Sequence, residues 1–342
     1  MKFNYKSFRF YTAATIVASS LIISASQTFA AEYLANIGHL ESAQQSRHVH
    51  LEKVAKLVNE RTNGEVTFKL FPQSQLGNQR QLNEGTQLGT IQATVAPAAF
   101  LGGFNPAISI LDIPFLLPTN PDHAHQLRTG PFGQALLKTF ESKGLVGVAL
   151  WPNGLKNFTS SKPLDDISAF EGQKFRVMDS KILIKQFDAL GASAIALPFS
   201  ELYTSLQTGV IDGQENPLDT IQRMKFFEVQ KYLTISEHGA MEDVILFNSA
   251  WWAALPDDYK TIIIEAFAEV VPELRAHKAA SIKTALEVIG NSDINIRVVS
   301  EQEKQEFRAK MYEPTINAFL ERYGDKGQAL IDLYEEEYSK LK

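Results

Sequence analysis

A helix stop, a short apolar run and a proline recur in this chain at a fixed distance. Gln87, Gly89, Ile91 and Pro97 match Gln207, Gly209, Ile211 and Pro217 at an offset of 120 residues. In each copy a glycine ends a helix, an isoleucine opens a strand, and a proline follows six residues on. Such punctuation belongs to strands that alternate with helices, and so to a largely parallel sheet covered by helices. Two copies this far apart point to two lobes of related topology, each offering a loop to a shared cleft. Coincidence between ordinary α/β turns is the competing account, and the residues alone leave both open.

The second copy sits in residues 197–217, LPFSELYTSLQTGVIDGQENP. Ser200 is placed to cap a short helix whose face carries Leu202, Tyr203 and Leu206. Gly209 ends it, Val210 and Ile211 read as a short buried strand, and Asn216-Pro217 reads as a new helix start. Gln214, Glu215 and Asn216 would then lie just past a strand's carboxyl end, where open α/β sheets bind ligands.

The same alternation runs along the rest of the chain. Residues 33–38, 66–71 and 91–95 read as strands. Between them lie a helix capped by Ser42, with Val49, Val54, Leu57 and Val58 on its apolar face, and a second from Asn78 to Gly89. Residues 111–116 read as a buried turn and 122–140 as one helix. Residues 145–150 form a strand, and the turn-rich 151–159 a crossover lining the cleft. Residues 174–178 form a strand that runs into a helix capped by Ser180 and stopped by Gly191. Arg176 on that strand can grip a carboxylate with two parallel, charge-assisted hydrogen bonds; a surface arginine with a solvated head is the plainer reading. After a strand over 241–247, residues 256–289 read as one helix kinked at Pro272. At about 50 Å it is long enough to run along both lobes. A late strand over 294–299 and a charged helical tail complete the chain. The expected division is 1–30 as leader, 31–152 with 242–281 as the first lobe, and 153–241 with 282–342 as the second.

The leader is read from Lys2, Lys6 and Arg9, an apolar stretch over 11–23 too short to span a bilayer with ease, and the small-x-small site Thr28-Phe29-Ala30. These features predict a secretory signal peptide with a mature start at Ala31; a retained membrane anchor is the alternative. An exported chain meets an oxidising compartment, yet this one has no cysteine, so disulfides and thiolate metal sites are excluded. Its net charge is −6 over 342 residues, and losing the three leader cations makes it more acidic still. That argues against nucleic acid or an anionic membrane surface as partner, but not against a small anion held by local arginines.

Catalytic signatures are missing. The chain has no Gly-x-Ser-x-Gly elbow, no His-Glu-x-x-His and no phosphate loop. His48 with His50, and Asp122 with His125, are weak metal candidates, since i and i+2 on a helix do not share a face. Arg80 and Glu84 read as a surface i, i+4 pair. An exported hydrolase or metal-dependent enzyme is the rival class, and a receptor serving a sensory kinase is a third.

Several segments carry a family resemblance. Residues 197–217, Gly172-x-Lys174-Phe175-Arg176 with Met178 and Ser180, Gln75-Leu76-Gly77, and Leu111-Asp112-Ile113-Pro114-Phe115-Leu116 resemble the substrate-binding proteins of tripartite ATP-independent periplasmic (TRAP) transporters. Trp151-Pro152-Asn153-Gly154-Leu155-Lys156 is most similar to the C4-dicarboxylate-binding, DctP-type branch. The resemblance implies a periplasmic-binding-protein-like α/β fold: two lobes, a hinged cleft and a long helix spanning both. It implies a soluble periplasmic receptor, without cofactor or metal, that closes on an organic acid anion and hands it to TRAP permease membrane subunits. It also implies roles for residues. Arg176 would pair with the ligand carboxylate, and Asn216 would donate to it. Phe199 would pack on the ligand body, Lys156 would supply a second cation, and His39 a first-lobe contact. Trp151, Asn153 and Gln214 are further pocket candidates. Glu215 would repel a carboxylate and is expected to orient Arg176 or a neighbour instead.

Overall fold

The computed structural model describes Met1 and residues 32–342; the expected leader lies outside the described residues. Strand β1 (Tyr33–Gly38) buries Ala35 and Ile37 and lies between β2 (Val66–Phe71) and β3 (Ala93–Pro97), parallel to both. Helices α1 (Ser46–Arg61) and α2 (Gln79–Leu88) make the two crossovers. The α1 N-cap is Gln45 rather than Ser42; it makes no side-chain cap bond to the helix, and its amide oxygen accepts from Ser42 N at 3.0 Å. Helix α2 opens and closes as its sequence dictates: Asn78 and Gln81 form a reciprocal capping box, and Gly89 stops it at φ 80°.

The single helix expected over 122–140 is two, α3 (Pro121–Thr129) and α4 (Pro131–Lys138), because Pro131 holds Gly130 before it in an extended conformation. Strand β4 (Leu145–Ser160) follows. The expected crossover loop over 151–159 is therefore strand throughout. Its turn formers make a bulge instead: the register shifts between Pro152 and Gly154, and Gly154 takes φ 120°.

The second half repeats the first. Strand β5 (Lys174–Val177) leads through α5 (Lys181–Ala189), capped by Ser180, to β6 (Ser193–Ala196). Helix α6 (Leu202–Gln207) then precedes β7 (Gly213–Pro217) and α7 (Leu218–Arg223). Strand β5 lies between β6 and β7, parallel to both, as β1 does between β2 and β3. So β3 and β7 are equivalent strands whose first residues, Ala93 and Gly213, are 120 apart. The repeat read from the sequence is real, but its strand boundary moves. Ile91 and Ile211 are buried at bends, Val210 is 56% exposed, and each strand starts two residues later. Gln214, Glu215 and Asn216 thus lie on β7, not beyond a strand. Asn216 is not a helix cap, because the α7 N-cap is Pro217. Nor does Ser200 cap a helix; it lies inside a 3-10 turn.

Helix α8 (Phe226–Val229) and β8 (Tyr232–Ile235) lead to β9 (Ala240–Asn248), which runs antiparallel to both β3 and β4. The full order is β2-β1-β3-β9-β4-β7-β5-β6, with β8 pairing the far end of β4. Strands β4 and β9 are therefore the shared connection between two similar half-sheets. After α9 (Ser249–Ala254), the long helix expected over 256–289 is broken into α10 (Asp257–Glu269) and α11 (Val271–Gly290). Pro272 removes a backbone donor and crowds the preceding turn, so the chain restarts at Val271. Helix α11 alone packs on α1 of one lobe and α7 of the other.

Strand β10 (Asn295–Val298) pairs β8. Helix α12 (Glu301–Tyr323) buries Phe307 and Met311 in the second-lobe core of Phe158, Phe175 and Phe187, and Phe319 in a first-lobe core around Phe132 and Leu145. Helix α13 (Asp325–Ser339) packs on α3 and α4. Leu330, Ile331 and Tyr334 carry it onto the core around Phe132 and Leu145.

Candidate functional site

Strand alternation decides what the cleft receives. On β5, Phe175 and Val177 enter the second-lobe core, so Arg176 points the other way. On β7, next to it, Gln214 and Asn216 share a face and Glu215 takes the opposite one. Arg176 is 2% exposed. Its Nε and Nη2 donate to the Leu197 carbonyl at 3.0 and 2.9 Å. The guanidinium lies 5.8 Å from the Phe100 ring centroid and 5.9 Å from that of Phe199, one ring from each lobe.

No carboxylate pairs with Arg176 among the described residues. Every other buried cation has one: Arg47 has Asp243 and Glu41, Arg128 has Glu242, Lys156 has Glu215, and Lys278 has Asp219. Burial accordingly pulls the Arg176 guanidinium down to about 10, with Glu215 opposing the shift from a distance.

Beside Arg176 lies a small cavity of about 20 Å³ between the lobes. Four predicted residues line it: Arg176, Asn216, Phe199 and Asn153. The other four are elsewhere. Lys156 is fully buried, with Nζ 2.7 Å from Glu215 Oε1. Glu215 also accepts from Gln186 Nε2 at 2.7 Å and contacts His238 Nε2 at 2.7 Å. It therefore orients neighbours, as expected, but in doing so it takes the second cation out of the site. Trp151 is a first-lobe core residue whose indole donates to the Phe267 carbonyl. His39 is sealed behind His48, 3.0 Å away, and burial holds it well below the usual imidazole range. Gln214 donates to Thr159 Oγ1 at 3.0 Å and accepts from Asn216 behind the cavity wall.

Sequence reading places first-lobe contacts around Ala96 to Phe100, of which Pro97 and Phe100 line the cavity, but misses two charged residues beside them. Glu41 and Arg47 line the cavity, and a polar network runs from them across the shared strands. Arg47 Nε donates to Asp243 Oδ2 at 2.7 Å, and Asn153 Nδ2 donates to both Glu41 Oε1 and Asp243 Oδ1. Lys278 on α11 joins Asn153 to Asp219 on α7. The network ties both lobes to the bulge at Gly154. Leu40, Phe100 and Phe199 separate the cavity from a larger outer hollow lined by Asn78, Arg80 and Asp179.

Over residues 37–321 the chain matches the family described as bacterial extracellular solute-binding protein, family 7, or DctP. The chain belongs to this family.

Among its relatives is the 2,3-diketo-L-gulonate-binding periplasmic protein YiaO of Escherichia coli (strain K12). It is 32% identical over 300 residues, 87% of this chain and 90% of the relative. The C4-dicarboxylate-binding periplasmic protein DctP of Rhodobacter capsulatus is 37% identical over 221 residues, 64% of this chain and 65% of that one. A crystal structure of a TRAP periplasmic solute-binding protein from Desulfovibrio salexigens with bound orotic acid is 62% identical with a TM-score of 0.90. It covers 91% of this chain and 100% of that one. Another from Shewanella oneidensis, with bound succinate, is 31% identical with a TM-score of 0.82, covering 90% and 99%.

The family is one of solute-binding proteins, and the relatives and solved structures named above are periplasmic binding proteins for organic acids. Among the described residues no group of three or more His, Asp or Glu is placed to hold a metal, and no helix is long and apolar enough to cross a membrane. The two weak metal candidates have other partners: His50 Nδ1 lies 2.8 Å from the Ser46 carbonyl, and Asp122 accepts from Arg275.

Proposed function

We propose that this chain, exported by removal of residues 1–30, captures an organic acid anion by pairing its carboxylate with Arg176. Asn216 donates to the same carboxylate, the lobes close over it, and the closed receptor delivers it to TRAP permease subunits. One observation carries the reading: Arg176 is the buried cation with no protein carboxylate among the described residues. Burying an unpaired charge is costly, and an anion from outside removes the cost. Leu197 holds two donors of the fork, leaving Nη1 and one Nη2 hydrogen for the ligand. Lobe boundaries follow the shared strands: residues 32–152 with 241–270 and 319–339 form the first lobe, 153–240 with 291–311 form the second, and α11 (Val271–Gly290) bridges them.

The bound state needs about 8 kcal/mol net for micromolar affinity, and losing one partner of a desolvated ion pair costs about 3–5 kcal/mol. Isothermal titration of orotate and succinate into the leader-free protein and its Arg176→Ala and Arg176→Lys variants tests the reading. Arg176→Ala should weaken whichever acid binds by a hundredfold or more. Arg176→Lys should lose much of the affinity too, because the fork geometry goes. Unchanged affinity in both variants would overturn the assignment. A C4-dicarboxylate as the ligand has the support of relatives named for it and of a solved relative with bound succinate, but Lys156, its expected second cation, is paired with Glu215.

A further inference from the structure

The wall of the cavity facing Arg176 carries a buried carboxylate with one oxygen left over. Glu41 is 5% exposed; its Oε1 accepts from Asn153 and lies 3.1 Å from Arg47 Nη2, while Oε2 has no partner among the described residues. Arg47, beside it, uses Nε and Nη2 on Asp243 and Glu41, and its Nη1 finds no partner among the described residues. The two sides of the cavity thus differ in sign. Arg176 is a cation without a carboxylate, and Arg47 is a cation facing two.

A second ligand carboxylate would meet this surplus of negative charge. An N–H donor would meet an acceptor that otherwise remains desolvated and unused, and a neighbouring carbonyl would meet Arg47 Nη1. Phe100 and Phe199 add two flat apolar surfaces beside the guanidinium.

Building on the carboxylate reading of Arg176, we propose that the ligand is a small monocarboxylate. Its far edge carries an amide- or imide-type N–H and C=O, read by Glu41 and Arg47. Glu41 is then the specificity-determining residue of the site.

The test is isothermal titration of the leader-free protein with five probes. Orotate and hydantoin-5-acetate combine a carboxylate with an imide edge; benzoate and succinate lack the edge; uracil lacks the carboxylate. At least one of the first two should bind a hundredfold more tightly than each of the other three. Glu41→Gln, which keeps the shape but removes the charge, should weaken that probe at least tenfold and change benzoate by less than threefold. Thermal melting of the ligand-free variant shows whether it is folded, and the wild-type panel stands even where it is not. The proposal is overturned if succinate or benzoate binds as well as both imide acids, or if folded Glu41→Gln holds them within threefold. Arg176→Ala reports separately: binding of orotate unmoved by that change sinks the carboxylate pairing itself, whatever Glu41 does.

Discussion

The Lys156 ammonium lies 2.7 Å from the Glu215 carboxylate, with both side chains at most 2% exposed. Burial alone would raise Glu215, but Lys156 and the His238 hydrogen bond outweigh it and hold the carboxylate well below its usual range. The pair is therefore a structural tie between β4 and β7. Removing Lys156 leaves a buried charge partly matched, so Lys156→Met should destabilise the protein by about 3–5 kcal/mol in urea unfolding. Adding Glu215→Gln should recover part of the loss. Ligand affinity of folded Lys156→Met should change by less than threefold. A loss above tenfold would return Lys156 to the binding site.

That pair also marks the boundary of what the sequence could say. The alternation of β5 and the Ser180 cap put Arg176 on the face opposite Phe175 and Val177, but a solvated surface arginine is the plainer local reading; its proposed role at the site is legible only through the family resemblance. Whether a lysine is free depends on a partner 59 positions away, and no local pattern carries that. Glu41 and Arg47 were illegible for the same reason: Asp243, which fixes Arg47, is 196 residues distant. The repeated glycine, isoleucine and proline did reveal two related half-sheets. The strand boundaries inside the repeat were misread, because a buried isoleucine at a bend has the same apolar signal as one on a strand. The Pro152-Asn153-Gly154 turn formers misled in another way. Within a paired strand they produced a bulge, which the ladder on both sides over-rules only locally.

Glu242 should make stability depend on pH. Burial raises its carboxyl to about 7, against its 2.9 Å ion pair with Arg128 and with help from neighbouring Asp243. Below pH 4.5 the group is protonated in folded and unfolded chains alike. Between 4.5 and 7 the unfolded chain sheds the proton and the folded one keeps it, so this group's contribution falls as pH rises and is level above 7. The whole change is on the order of 3 kcal/mol. Glu242→Gln does not titrate, so its stability relative to the parent should improve from pH 5 to pH 7. Urea midpoints at pH 5, 6, 7 and 8 read this difference. A constant gap would remove Glu242 as a titrating group.

Gly154 should resist replacement. Its φ of 120° is open to glycine alone, and a Cβ there would lie 3.0 Å from Pro217 Cβ. Gly154→Ala should cost about 1–3 kcal/mol of stability. If the bulge straightens instead, Asn153 leaves its bonds to Glu41 and Asp243, and ligand affinity falls. Thermal melts and titration together should register one loss or both. A variant unaltered in stability and binding would show that the bulge does not set the cleft.

Phe199 should govern release more than capture. It stands on the second lobe, yet it packs on the first-lobe cluster of Leu40, Leu82 and Ile91, with Phe100 beside it. These contacts exist only with the lobes together, so they favour the closed state without touching the encounter in the open one. Truncation to alanine exposes the apolar area they bury, worth roughly 1–2 kcal/mol. Phe199→Ala should therefore speed ligand dissociation about tenfold. Its association rate should stay within twofold of the parent, since in the proposed function Arg176 and Asn216 meet the anion before closure. Stopped-flow tryptophan fluorescence separates the two rates. Slower association with unchanged dissociation would make Phe199 an entry contact instead of a latch between lobes.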